Sequence, residues 1–129
     1  MTLLGAVLAS CGEHPKSEAP WVVDRFDDIK VIRYEVPSFD ALPLEEKELI
    51  YYLSEAAKCG RDILFDQNCP VNLPVRRTLE TVYEHFKGDR TTPEWKALEK
   101  YLKKVWFANG IHHHYSNDKF VPEFTEGYL

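Results

Sequence analysis

The stretch Thr91-Thr-Pro-Glu-Trp-Lys-Ala-Leu-Glu-Lys-Tyr-Leu-Lys-Lys-Val-Trp-Phe-Ala-Asn-Gly110 constrains the fold more than any other, because it marks both ends of one helix. Thr92 is suited to the N-cap, Pro93 to the first helical position and Glu94 to the first turn, where the helix dipole favours a carboxylate. Trp95, Leu98, Leu102, Val105 and Trp106 recur at helical spacing and predict a buried stripe. Lys96, Lys100, Lys103 and Lys104 supply a solvated face. Asn109-Gly110 ends the helix, with Gly110 able to take the left-handed conformation of a C-cap. The run His112-His113-His114-Tyr115-Ser116 therefore opens a loop directly at a helix terminus.

Two more helices are legible upstream. "LEEKELIYYLSEAAKCGRDILF" (44–65) places apolar residues at Leu49/Ile50, Leu53, Ala56/Ala57, Gly60 and Leu64, with Glu45, Glu46 and Glu48 near its start. Ala56, Ala57 and Gly60 form a small-residue face that lets another backbone approach closely. "DQNCPVNLP" reads as a loop. A further helix runs from about Pro74, with Val75, Leu79, Val82 and Phe86 on one stripe and Gly88 as its stop. Before these, "IKVIRYEV" alternates as a strand, with Ile32, Tyr34 and Val36 on one face and Ile29 and Val31 on the other, ended by Pro37. One strand makes no sheet, so its partners are expected from outside the legible elements. The fold class expected is α+β, mainly helical, with about three helices and an N-terminal strand.

At 129 residues the chain holds one domain at most. A net charge of -5 argues against a nucleic-acid binder, which needs a basic surface. Seven Phe, seven Tyr and three Trp suit a well-packed core or a surface that more protein covers. Residues 1–20 differ from the rest. "TLLGAVLAS" is apolar but too short to span a bilayer, and Leu8-Ala9-Ser10-Cys11 fits a lipoprotein cleavage site with Cys11 lipidated. No basic residue precedes the run, so the segment reads as a truncated export signal followed by a polar linker. It implies the cell envelope, with membrane contact only through that anchor; without the signal the location would be cytoplasmic. Cys59 and Cys69 are expected as unpaired thiols, at least one of them packed.

Three adjacent histidines suggest a metal, but zinc wants three or four ligands converging tetrahedrally, and adjacent side chains are expected to diverge. Cys59, Cys69, His14 and His85 show no ligand spacing, and no pair of histidines brackets a glutamate on a helix. Ser116 near His114 lacks an orienting acid. The bland alternative is that the histidines cap the helix, pack on Trp106 and Phe107, or lie exposed. The residues by themselves build no complete active site. They leave open a ligand-reading loop, and with it a free-standing, lipid-anchored module that binds a peptide or other ligand.

Three blocks in order, "IKVIRYEVPSF", "ELIYYLSEAAKCGRDILFDQN" and "YLKKVWFANGIHHHYSNDKFVP", resemble the N-terminal part of the dipeptidyl peptidase III family in its Bacteroides-type form. The resemblance covers about Trp21 to Leu129. It implies a zinc exopeptidase that releases dipeptides from the N-termini of short peptides. It also implies a two-lobed fold in which this portion joins the lobe containing a β-barrel. The zinc ligands and the catalytic glutamate of the family lie in sequence absent here, so the chain is expected to bind no zinc, to be inactive alone, and to have the remainder of the enzyme as its partner. The loop before "KFVP" lines the substrate cleft by this resemblance. His114, Tyr115 and Ser116 fall where other branches carry a serine, an aromatic and a glycine, so they are the implied substrate-binding residues; Asn109 and Gly110 would shape the loop.

Overall fold

The computed structural model describes residues 21–128; Cys11 and the rest of the proposed export segment lie outside the described residues. The chain divides into two units, one ending at Tyr34 and one beginning at Glu35.

The first unit is a hairpin of β1 (Val22–Phe26) and β2 (Ile29–Ile32). The expectation that β2 must find its partner elsewhere is corrected: β1 pairs with it antiparallel, Phe26 opposite Ile29 and Val22 opposite Ile32. Asp24 and Arg25 disguise β1 in the sequence, yet its burial alternates with period two as a strand requires. Asp27 and Asp28 make the turn, Asp27 in the left-handed region at φ 54°, which a short polar side chain tolerates. An irregularity in register between Val22 and Asp24 leaves Val23 as the extra residue of a bulge.

The second unit is helical: α1 (Leu44–Cys59), α2 (Arg61–Asn68), α3 (Asn72–His85) and α4 (Pro93–Ala108). The fold is α+β and mainly helical. The helix expected over 44–65 is divided at Gly60. There the Gly60 N–H donates to Ala57 O and the Ile63 N–H to Gly60 O, both at 3.2 Å. These bonds reach back three residues, not four, so the backbone tightens and restarts. The supposed loop "DQNCPVNLP" is mostly helix. Asp66–Asn68 complete α2, and Asn72 opens α3, with Pro74 in a first turn whose N–H groups have no intrahelical partner to lose. Cys59 and Cys69 are free, the first exposed and the second half-buried.

The core lies where α2, α3 and α4 meet. Phe65, Leu79, Leu102 and Val105 form its centre, flanked by Leu73, Val75, Tyr83, Tyr101 and Trp106. Each such aliphatic side chain contributes about 1.5–3 kcal/mol by leaving water. Trp95 and Leu98 are buried farther along α4, as its stripe predicted. A charged seam closes one flank. Arg76 stacks on the Phe65 ring at 4.7 Å and reaches Asp62 at 2.7 Å, while Arg77 takes the other Asp62 oxygen at 2.8 Å. Glu80 pairs with Arg76 at 3.3 Å and accepts from the Trp106 indole N–H at 2.8 Å. At the far end Thr92 caps α4 by accepting from Trp95 N–H at 3.2 Å. Arg90 donates to Tyr83 O at 2.7 Å and lies 4.7 Å over the Trp95 ring, so one cation holds the end of α3 to the start of α4. Residues 121–128 run back along α4 through Lys100–Glu123 at 2.6 Å, Thr125–Glu94 at 3.1 Å and Tyr101 edge-on to Phe124.

α1 stands apart: it buries no side chain. Leu44, Leu49, Tyr51, Tyr52 and Leu53 are all more than half exposed and Ile50 is 41% exposed. At about 100° per residue, the run from Leu49 to Leu53 covers the whole circumference of the helix.

The Arg77 and Arg76 guanidinium groups hold the Asp62 carboxyl below its ordinary value of 3.8. A lowered folded-state value means stabilisation that is complete above about pH 4 and lost as the pH falls through the folded value. Urea denaturation of the wild type should therefore lose more between pH 6 and pH 3 than that of Asp62→Asn, which has no proton to gain there. Equal losses would show that the α2–α3 pairing contributes nothing.

Candidate functional site

The end of α4 is set by an asymmetry between Asn109 and Gly110. Asn109, not Gly110, takes the left-handed C-cap conformation, at φ 53°. The N–H groups of both residues return to the carbonyl of Val105. The glycine is needed for a different reason. A Cβ on Gly110 would lie 2.2 Å from the Asn72 side-chain nitrogen. Asn72 is the buried polar side chain of the described residues, fully enclosed. Its Oδ1 accepts from Ile111 N–H at 3.0 Å and its Nδ2 donates to Asn109 O at 3.4 Å. The first residue of α3 thus grips the backbone on both sides of Gly110, and the histidine loop leaves from that grip.

Beyond it the chain doubles back. Phe120 N–H donates to Ile111 O at 2.8 Å and His113 N–H to Asp118 O at 2.7 Å, with His112 bridged to Lys119. Residues 114–117 form the tip. The Ser116 hydroxyl donates to the Asp118 carboxylate at 3.0 Å and accepts from Asp118 N–H at 3.2 Å. An acid does lie beside Ser116, then, but it holds the hydroxyl within the loop. Lys104 sits 5.5 Å over the Phe120 ring and ties the returning arm to α4.

The expectation that the adjacent histidines diverge is corrected for two of them. The rings of His113 and His114 stack, centroids 4.4 Å apart and 28° between planes. His114 also meets Phe107 edge-on at 5.0 Å, the helix packing expected of a histidine here, and Tyr115 at 4.2 Å. Backbone N–H of Tyr115 donates to His113 Nδ1 at 3.2 Å. Tyr115 itself is 89% exposed. Together with Asn68, Phe107, Asn109 and Asn117, the residues His113, His114, Tyr115 and Ser116 line an open pocket of about 600 Å³ with mainly polar walls. All three residues implied by resemblance thus share one pocket. Asn68, from the end of α2, joins them, as nothing in its sequence context announced.

Among the described residues no three His, Cys, Asp or Glu side chains gather closely enough to hold a metal ion. No helix among the described residues is long and apolar enough to cross a membrane. No protein-family model matches the chain, and no curated protein does.

Because Asn72 and Gly110 occupy each other's space, their substitutions should not add. Asn72→Ala leaves the Ile111 N–H and Asn109 carbonyl unpaired, at a cost of about 1–3 kcal/mol. Gly110→Ala forces a Cβ into the amide, at about 1–3 kcal/mol. The double variant removes the amide from the path of the methyl group, leaving only the strain of a side chain at φ 158°, and should lose at least about 0.5 kcal/mol less than the two combined. Denaturant titration of the four proteins checks this, and simple additivity would remove the clasp from the account.

Proposed function

We propose that this chain is the N-terminal portion of a zinc-dependent exopeptidase of the dipeptidyl peptidase III type. It supplies scaffold and one wall of the peptide cleft, while the zinc and its catalytic glutamate belong to the remainder of the enzyme. The observation that carries the reading is the common pocket of His114, Tyr115 and Ser116, the positions that the resemblance assigns to substrate. The exposed run from Leu49 to Leu53 on α1 supports it, since so many apolar side chains left uncovered are suited to contact with more protein. In this arrangement Tyr115 offers an exposed aromatic face to a bound peptide, and the hairpin joins the sheet of the β-barrel-containing lobe. Short peptides are the substrates.

Two measurements test the proposal. Calorimetric titration of the 129-residue chain with zinc should give no tight one-to-one binding, and dipeptidyl-arylamide substrates should stay intact. In the protein extended by its in-frame continuation, which should encode a zinc-binding His-Glu motif, Tyr115→Ala should raise KM about tenfold with a smaller effect on kcat, as expected for a lost binding contact. Tight stoichiometric zinc in the short chain, or a continuation without such a motif, would overturn the proposal.

A further inference from the structure

Asn109-Gly110 is the one Asn-Gly pair in the chain. Such a pair is prone to attack on its own side chain, because glycine has no Cβ to shield its backbone nitrogen. In that reaction the Gly110 nitrogen bonds to the Asn109 Cγ, and the side-chain NH2 leaves with the displaced proton as ammonia. Water then opens the five-membered imide at one of its two carbonyls, giving aspartate or isoaspartate. Nothing is oxidised or reduced, and water is the sole co-reactant.

Ring closure requires the Asn109 Cβ and the Gly110 nitrogen to lie on the same side of the Asn109 Cα–C bond. The fold keeps them apart. With ψ at 37°, the Cα–Cβ bond of an L-residue points to the far side of that bond from the Gly110 nitrogen. The peptide group between the two residues is also held at both ends. Its N–H donates to Val105 O at 3.0 Å, and its carbonyl accepts from Asn72 Nδ2 at 3.4 Å. A peptide group is planar, so turning it about the Cα–C bond moves both atoms together and breaks both bonds. The bond from Ile111 N–H to Asn72 Oδ1, at 3.0 Å, resists the same turn from the following residue.

We propose that Asn109 is a conformation-gated deamidation site, silent while Asn72 grips the turn and reactive when that grip opens. The gate is local: the bonds that must break belong to one turn at the end of α4, and such a turn can open while the core stays closed. The change is also one-way. Isoaspartate lengthens the main chain by one carbon between α4 and Gly110, so the turn can no longer meet Val105 and Asn72 in the same register. The modified residue borders the polar pocket and brings a new carboxylate to the base of the histidine loop.

The test incubates the full chain in mildly alkaline buffer and follows Asn109 by peptide mapping, with isoaspartate-specific methylation to mark the isomer. The folded wild type should convert at least about tenfold more slowly than a free peptide of residues 105–113, which has no Asn72 and no closed turn. Asn72→Ala should raise the rate in the folded chain about tenfold, the rise in open population when the bonds of one buried amide are lost. Thr92→Ala removes a cap at the opposite end of α4 and should leave the rate close to wild type. A cooperative urea transition checks that each variant is folded. The comparison of wild type with peptide needs no variant, so it decides even where Asn72→Ala does not fold. Folded wild type converting as fast as the peptide would overturn the proposal. So would a folded Asn72→Ala that converts no faster than wild type, or a Thr92→Ala that accelerates conversion as much as Asn72→Ala does.

Discussion

The amide of Asn72 is the contact on which the placement of the loop depends. A buried polar side chain is costly unless its hydrogen-bonding groups find partners, and here the partners are two backbone groups more than thirty residues away. Those groups flank the one residue of the turn that has no side chain to obstruct the approach. The start of α3 and the end of α4 are thereby locked in register at the point where the histidine loop departs. Everything downstream inherits that register: the doubled-back arms, the stacked imidazoles and the wall of the polar pocket. The apolar core brings α3 and α4 together. Directional bonds tie their ends, at one end through Asn72 and at the other through Arg90.

The helical unit thus contains two kinds of helix. α2, α3 and α4 share a core, with Phe65, Leu79, Leu102 and Val105 inside and a seam of Asp62, Arg76, Glu80 and Trp106 along the flank, although Ile63 and Leu64 of α2 stay more than half exposed. That seam is only partly shielded, so its worth lies more in fixing geometry than in added stability. α1 has no such partners. Its leucines and tyrosines are exposed around the helix from Leu49 to Leu53.

How much of this was legible beforehand varies with the kind of signal. α4 was read nearly whole, because Thr92-Pro93-Glu94 and Asn109-Gly110 are local devices whose chemistry acts within a turn. The stripe of α3 was legible, but its beginning was hidden by Pro74 and the asparagines, which serve a first helical turn as well as a loop. The first long helix was read through Gly60 because apolar spacing continues across the break while the hydrogen bonding does not. β1 was missed because Asp24 and Arg25 interrupt its apolar pattern. In the candidate site, the loop at the end of α4 could be read from the residues that terminate the helix. The contributions of Asn72 and Asn68 could not, since both depend on a tertiary approach that leaves no periodic trace. Nor could the stacking of His113 on His114, which is set by the doubling back of the loop.

Gly60 has a mechanical consequence. α2 is anchored on one side of it by Phe65 and by the arginines on Asp62. On the other side sixteen residues of α1 extend for about 24 Å with no buried side chain to hold them. The arrangement is a lever with its fulcrum at a glycine. A change of about 10° in the direction of the backbone there would carry Leu44 by roughly 4 Å over that length. The direction of α1 is therefore set by the backbone at Gly60 and not by side chains buried in the core.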